Sequence, residues 1–465
     1  MPYYYGLRIR DYDKEPRRAD KRFIAGRLLA LRKALQEHLH LYKTNEGQGT
    51  TFLRDSTQYL RLATWNIREF GAGEKFGPRL PEAHYYIAEI LAHFDLIAIQ
   101  EVHEDRRDLE KVMDILGPGW TYIATDVTGN RERMAYVFNT NKVWFRNIAG
   151  EVVLDKGDEI SYPHEERLRF SEGLALELPE DTRLESPVLE KEHTYRRAGK
   201  DRLRSEVEIE LPEQSTLQLP KGSRLVLPHR YVVTLTDDRR IVLPEGTQLG
   251  LPKDVMIKLP RNSIVGDTLQ FARTPFLVSF QAGWLKINLC TVHIYYGEGR
   301  AGMKRRKEEI RQVTKFLAGR AAKENDFDAD SFFILLGDFN IVGRSHATMA
   351  ALKTNGFEVP EELESLPGTN VKKDKYYDQI AYWARDDGHP DSITRVEVSR
   401  AGVFDFFETV YRYQDEAIYK EKLGQAAGSK WDYAQWRTFQ MSDHLPMWVE
   451  LRIDFGDDYL KLIAP

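Results

Sequence analysis

Leucine recurs every eight residues from Leu203 to Leu259, and proline follows it at Pro212, Pro220, Pro228, Pro244, Pro252 and Pro260. A period of eight broken by proline leaves no room for a helix, because proline lacks a backbone donor and clashes with the preceding turn. In the seven units the seventh position is also apolar: Leu217, Leu225, Val233, Ile241, Leu249, Ile257 and Val265. That residue stands two before the next leucine. Both side chains therefore fall on one face of a short strand, and the proline-led segment turns the chain. Fixed periods of this kind mean stacked or meandering units. The octads predict a β-rich insertion over 151–270 with no ionisable cluster that suggests chemistry. It serves as a rigid appendage or as a surface for a partner or substrate.

On either side the pattern changes. RLATWNI (61–67) reads as a strand, 83–93 as a helix and DLIAIQEV (95–102) as a buried strand. A helix over 107–116 follows, then the strands WTYIATD (120–126) and MAYVFN (134–139). From Pro275 the alternation resumes with PFLVSFQ, WLKINLCTVHI, a charged helix over 303–316 and FFILLGDFN; TRVEVS and PMWVELRI are the last clear strands. Strands dominate and helices come between them. The expected class is α+β: a four-layer α/β/β/α sandwich of two packed, mainly antiparallel sheets. Residues 1–57 hold 12 Lys/Arg against 7 Asp/Glu, with Phe23, Ile24, Leu28, Leu31, Leu35 and Leu39 at helical spacing within 18–41. This predicts a basic helical extension, packed on the main domain or docking a protein or DNA. The expected divisions are 1–57, a first half over 58–150, the insertion over 151–270, a second half over 271–455 and a tail over 456–465.

Composition bounds what such a chain can be. It has 465 residues, 42% hydrophobic and 30% charged, enough for a full core. A disordered chain, a fibre and a small disulfide scaffold are excluded. The net charge of −5 gives no global basic footprint, although a local basic face suffices for nucleic acid and a metal site itself uses acidic residues. The single cysteine, Cys290, can form neither an internal disulfide nor a Cys-x-x-Cys zinc pair, which points to a reducing, cytoplasmic setting. The N-terminus is charged where a signal peptide is apolar, and no apolar run approaches the ~18–20 residues of a membrane span. No membrane partner is expected.

Polar residues at strand ends carry the chemistry. Asn66 ends RLATWN, Glu101 ends DLIAIQE, and Asp338 and Asn340 end FFILLGDFN; Asp443 and His444 stand in SDHLP before the final strand. Carboxylate and amide oxygens suit hard cations such as Mg²⁺ or Mn²⁺. His293 and His444 can move protons near neutral pH. In this order, WN, QE, a strand-end His, GDFN, YDxI and SDHxP, the motifs resemble the endonuclease/exonuclease/phosphatase superfamily. Longer similarity at WNIREFG, IQEV, ARTPFLVSF and FDFFETVY is closest to deoxyribonuclease I-like nucleases, over about 60–150 and 270–452.

The resemblance implies a metal-dependent phosphodiesterase, above all a DNA endonuclease of low sequence specificity that leaves 5′-phosphate and 3′-hydroxyl ends. It makes Glu101 the principal metal ligand, with Asn66 and Asp443 close by. Asp338 and Asn340 hold a second metal position or the attacked phosphate. His293 and His444 become the acid/base pair, oriented by Glu132 and Asp378. Arg273 becomes a phosphate clamp and Arg68 a DNA contact. The chain also departs from the pattern: His103 stands where the nucleases have a groove arginine, and the loop 129–134 is short and lacks their groove-stacking tyrosine. Double-stranded DNA is the leading substrate, with single strands and RNA open. The alternatives are a phospholipid or small phosphate ester, and a pseudo-nuclease that binds through the insertion.

Overall fold

The computed structural model describes residues 2–40, 42–45, 49–52, 57–71, 77–153, 271–297, 299–325, 331–383, 394–424 and 431–464, with short strands between 160 and 257. Two compact units result. One comprises Met1–Val152, Phe271–Tyr296 and Arg306–Pro465, and the other Val153–Gln270 and Gly297–Arg305.

The larger unit holds two six-stranded sheets. One runs Val398–Val403, Met447–Arg452, Tyr59–Phe70, Leu96–His103, Glu132–Asn139, Trp120–Ala124. The other runs Phe357–Glu358, Asp378–Trp383, Ser331–Asp338, Leu285–His293, Phe276–Ala282, Trp144–Glu151. Each has a single parallel pair, Tyr59–Phe70 with Leu96–His103 and Leu285–His293 with Ser331–Asp338. The remaining pairs are antiparallel, so the expected sandwich is the observed one. Side-chain alternation divides each central strand between two cores. Leu62, Ala98, Tyr136 and Val449 meet Val278, Phe280, Leu289 and Ile334 between the sheets. Ala63, Trp65, Ile97, Val137 and Trp448 face outward into a second core.

Helices cover that outward face. Arg17–His38, expected over 18–41, buries Ile24, Leu28, Leu31 and Leu35 in the outer core beside Ile87 and Ile90 of the Pro81–Leu91 helix. Ion pairs fix it, Arg32 to Glu89 at 2.7 Å and Arg27 to Asp415 at 2.5 Å. The N-terminal helix is thus built into the main unit, and only its charged face is left for a partner. On the opposite side, the Gly299–Asn325 helix buries Ile310, Val313, Leu317 and Ala321 along one stripe. Other differences from expectation are local. TRVEVS enters the sheet only as Val398–Val403, where a bulge interrupts pairing between Val398 and Arg400. Residues read as a tail form a helix, Gly456–Ile463. Among the described residues no helix is long and apolar enough to cross a membrane.

The smaller unit realises the octads. Strands Thr216–Gln218, Arg224–Leu227, Tyr231–Thr234, Arg240–Val242, Gln248–Gly250 and Val255–Ile257 recur at the predicted spacing. The seventh positions sit opposite one another: Leu225 pairs with Val233 and with Leu249. Two earlier leucines, one residue out of phase with the octads, join the same pairing. Leu168 and Leu176, eight apart, pair with Leu249 and with Leu217 and Ile241. The unit Leu259–Gly266 lies outside the described residues.

Two predictions follow from this packing. His38 is half-buried, and its Nε2 accepts the Trp448 indole N–H at 3.0 Å, which requires a neutral ring. Burial, and then His40, pulls its pKa from the ordinary 6.5 to about 4. Between those values the unfolded chain binds the proton and the native state does not. Stability should therefore fall as pH drops from about 6.5 to about 4, by an amount on the order of 3 kcal/mol. His38→Gln keeps an acceptor without a titrating ring, and should flatten the Tm-against-pH curve across that window. The second prediction uses the strands that flank the insertion. Trp144–Glu151 pairs antiparallel with Phe276–Ala282, and Val152 N–H donates to the Pro275 carbonyl at 2.8 Å. Replacing about 160–266 by a short Gly/Ser linker should leave a folded larger unit, read by circular dichroism and cooperative melting. An insoluble or unfolded product would show that the octads belong to the main core.

Candidate active site

Three adjacent strands of one sheet bring three of the expected residues into line. His293 pairs with Asp338 in the parallel ladder, and Asp338 with Asp378 in the antiparallel one. Gly337 makes that ladder possible. Its φ is +133°, and a Cβ there would stand 2.2 Å from the Val292 carbonyl oxygen, so the strand closes only on glycine. Asn340 follows with φ +53°. Its N–H donates to Asp338 Oδ1 at 2.8 Å and its Nδ2 to the Ile294 carbonyl at 2.8 Å.

The facing sheet supplies Asn66 and Glu101. Register shifts lie between Asn66 and Phe70 and between Ile99 and Val102, and Glu101 has φ +61°. Bulges at a sheet end re-aim side chains, and left-handed non-glycine residues concentrate where function demands them. Asn66 Nδ2 donates to Glu101 Oε1 at 2.9 Å and to Asp338 Oδ2 at 3.1 Å, linking carboxylates from the two sheets. The Glu69 N–H donates to Glu101 Oε2 at 2.8 Å. Glu101 is less solvated than a strand end suggests, with 18% of its side chain exposed. Burial alone would raise its pKa. His293, the Glu69 and Asn66 N–H groups and His444 outweigh burial and hold it at about 2.

Both imidazoles have a carboxylate behind them. His444 Nδ1 is hydrogen-bonded to Asp378 Oδ2 at 2.8 Å, whereas His293 Nδ1 stands 2.9 Å from Glu132 Oε2 without hydrogen-bond geometry. Their Nε2 atoms converge on one oxygen, Asp338 Oδ2, at 3.5 Å from His293 and 3.8 Å from His444. Burial would lower the His444 pKa, but Asp378 and then Asp338 raise it well above 6.5, so the ring is held charged. Ser442, quoted only as part of a motif, locks the turn: its Oγ donates to the Asn66 carbonyl at 2.6 Å and accepts the His444 N–H at 3.0 Å.

The two expected phosphate-contacting arginines are engaged elsewhere. Arg273 donates to Glu132 at 2.9 Å with 10% of its side chain exposed, which places it behind His293. Arg68 pairs with Asp443 at 3.3 Å and stacks 3.9 Å from the Phe439 ring centroid. Asp443 is thus a partner of Arg68 at the rim, with 43% of its side chain exposed, while Asn66, Glu101, His293, Asp338, Asp378 and His444 meet at the strand ends.

Sequence reasoning missed the supports. Gln100 Nε2 donates to Thr291 Oγ1 of the facing sheet at 2.8 Å and to Thr64 Oγ1 at 3.1 Å. Arg79 donates to the Glu69 carbonyl at 3.0 Å and to the Arg68 carbonyl. Arg306 donates to the Asn340 carbonyl at 2.7 Å and the Tyr295 carbonyl at 3.1 Å. Nothing in the sequence distinguishes these arginines from surface ones. Gln100, in the middle of an apolar strand, was the one available signal.

The donor set fits a hard divalent cation. Asn66 Oδ1 is buried and has no hydrogen-bond partner among the described residues, and it belongs to the amide that touches both Glu101 and Asp338. Two carboxylates and an unpaired amide oxygen are oxygen ligands of the kind Mg²⁺ and Mn²⁺ take. Asp338, Asp378 and His444 also present ligand atoms within 4.8 Å of one another. Asp378 nevertheless uses an oxygen on His444 Nδ1, which leaves Glu101, Asn66 and Asp338 as the better cradle.

No family model and no curated protein matches the chain. Among solved structures it is similar to an endonuclease/exonuclease/phosphatase family protein from Bacteroides thetaiotaomicron, at 16% identity and a TM-score of 0.40 over 85% of this chain and 98% of that one. It is also similar to a mannosyl-6-phosphatase of Bacteroides thetaiotaomicron, at 16% identity and 0.39 over 84% and 99%. A third is the human Nocturnin catalytic domain with bound sulfate, at 11% identity and 0.40 over 86% and 96%. The chain's own residues give the two-sheet α/β/β/α sandwich, with the six ordered motifs gathered at one end of it.

Proposed function

We propose that the chain is a divalent-metal-dependent phosphodiesterase that cleaves DNA internally with low sequence specificity, leaving 5′-phosphate and 3′-hydroxyl ends. One observation carries this reading: two carboxylate-backed imidazoles point their Nε2 atoms at the same oxygen, Asp338 Oδ2. A phosphodiester seated there has a proton acceptor and a proton donor on its two sides.

His293, backed by Glu132, accepts the proton of the attacking water as its oxygen bonds to phosphorus. His444, held charged by Asp378 and Asp338, gives its proton to the departing 3′-oxygen as the P–O bond breaks. Asp378 fixes the orientation and tautomer of the His444 ring through its hydrogen bond, and Glu132 places a negative charge beside His293 Nδ1. Glu101, Asn66 and Asp338 would hold Mg²⁺ or Mn²⁺, which when bound supplies positive charge for the non-bridging oxygens. Asn340, pinned through its Nδ2 and N–H, lies beside Asp338 to support the phosphate. Arg68 and Arg273 reach the substrate if it draws them from Asp443 and Glu132.

Two predictions follow. Nicking of supercoiled plasmid should need Mg²⁺ or Mn²⁺ and stop in excess EDTA; full cleavage in EDTA would sink the assignment. His293→Ala and His444→Ala should each lower turnover of bis-p-nitrophenyl phosphate by ~10²–10⁴-fold. Glu132→Ala and Asp378→Ala should fall by the same or less. Wild-type turnover in the His293 variant would make that residue a core histidine. Sphingomyelin and RNA, tried beside DNA, test the lipid and RNA alternatives directly.

A further inference from the structure

Two exposed or half-exposed tyrosines on the loops that bear the site are each backed by an arginine. Tyr296, three residues past His293, is 50% exposed, and the Arg306 guanidinium carbon lies 4.9 Å from its ring centroid. Arg306 is itself only 2% exposed and is held by the carbonyls of Tyr295 and Asn340. The ring therefore rests on a fixed cation that also grips the GDFN turn. Tyr376, two residues before Asp378, lies 4.7 Å from Arg344 in the same way. Tyr377, the next residue, packs on His444, with centroids 5.4 Å apart and planes at 30°.

These rings offer flat π-faces on the loops that bear the site. A lipid tail has no face to match them. A nucleobase has, but in a duplex that face is already stacked on its neighbours. We propose that Tyr296, stiffened from behind by Arg306, is the platform on which a base beside the scissile phosphate stacks, so that the strand enters the cleft unpaired. This rests on the phosphodiesterase reading and narrows its substrate.

The test separates binding from chemistry. Fluorescein-labelled oligothymidylate, an abasic oligomer of equal length and a duplex are titrated with the full chain in EDTA, which stops turnover. Stacking on one aromatic ring corresponds to about a 5- to 150-fold effect on Kd. The wild-type chain should bind oligothymidylate tighter than the abasic strand by a factor in that range, and tighter than the duplex. Tyr296→Ala should erase the preference for bases, and Tyr296→Phe should keep it. The side chain is exposed, and a circular dichroism melt checks that the variants fold. Equal affinity for abasic and normal strands, tighter binding of the duplex, or a preference that survives Tyr296→Ala would each overturn the platform. Hydrolysis of bis-p-nitrophenyl phosphate with Mg²⁺ is measured in parallel. A hydrolase indifferent to bases refutes only the platform, whereas a chain that hydrolyses no diester refutes the reading beneath it.

Discussion

Two carboxylates from facing sheets, Glu101 and Asp338, are held together by one amide, Asn66 Nδ2, at 2.9 and 3.1 Å. Like charges this close repel strongly where water is scarce. The surroundings supply compensation: His293 and His444 stand within 4 Å of Asp338, and the Glu69 N–H caps Glu101. The arrangement also explains why the amide belongs to an asparagine. Its nitrogen joins the carboxylates, and its buried oxygen has no hydrogen-bond partner among the described residues. The sheets must keep their offset for this contact to exist, so much of the core can be seen as holding the two strand ends in place.

The polar supports show how that offset is fixed. Apolar packing between sheets is non-directional and tolerates sliding. Gln100, bonded to Thr64 in its own sheet and Thr291 in the other, is directional and buried, so a slip would leave it unsatisfied. Above it, two buried arginines hold the loops. Arg79 binds the carbonyls of Arg68 and Glu69, and Arg306 those of Tyr295 and Asn340. Each grips a turn containing a left-handed residue, Glu69 or Asn340. Such conformations persist only where the surroundings over-determine them.

The sandwich and its cleft were legible because strands announce themselves by alternation and because chemistry concentrates at their ends. Asp338 falls opposite Asp378 for a reason the motifs GDFN and YDQI encode jointly: their strands pair, with both acids at the last rung. The ion pairs of the two arginines expected to meet the substrate were not legible in the motifs. Arg273 and Arg68 lie nearest to Glu132 and Asp443, and an ion pair formed across strands depends on tertiary distances that spacing does not carry. Helix limits were legible to within a turn in the first half, whereas the charged 303–316 segment extends to Gly299–Asn325, because solvated faces give weak periodicity.

The position of the octad insertion follows from the same physics. It interrupts the connection between an edge strand, Trp144–Glu151, and its antiparallel neighbour, Phe276–Ala282. An antiparallel pair can be joined by any loop that returns to its start, whereas a parallel pair needs a crossover that packs on the sheet. Growing a loop from about five residues to more than a hundred costs only about 3 kcal/mol if the loop is a random coil, since closure entropy rises with the logarithm of length. Strands that pair among themselves reduce that cost further, by fixing the separation of the ends. An insertion at either parallel pair would instead have disturbed Asn66 beside Gln100 or His293 beside Asp338. The chain carries its additional unit on the ladder that bears none of the converging site residues.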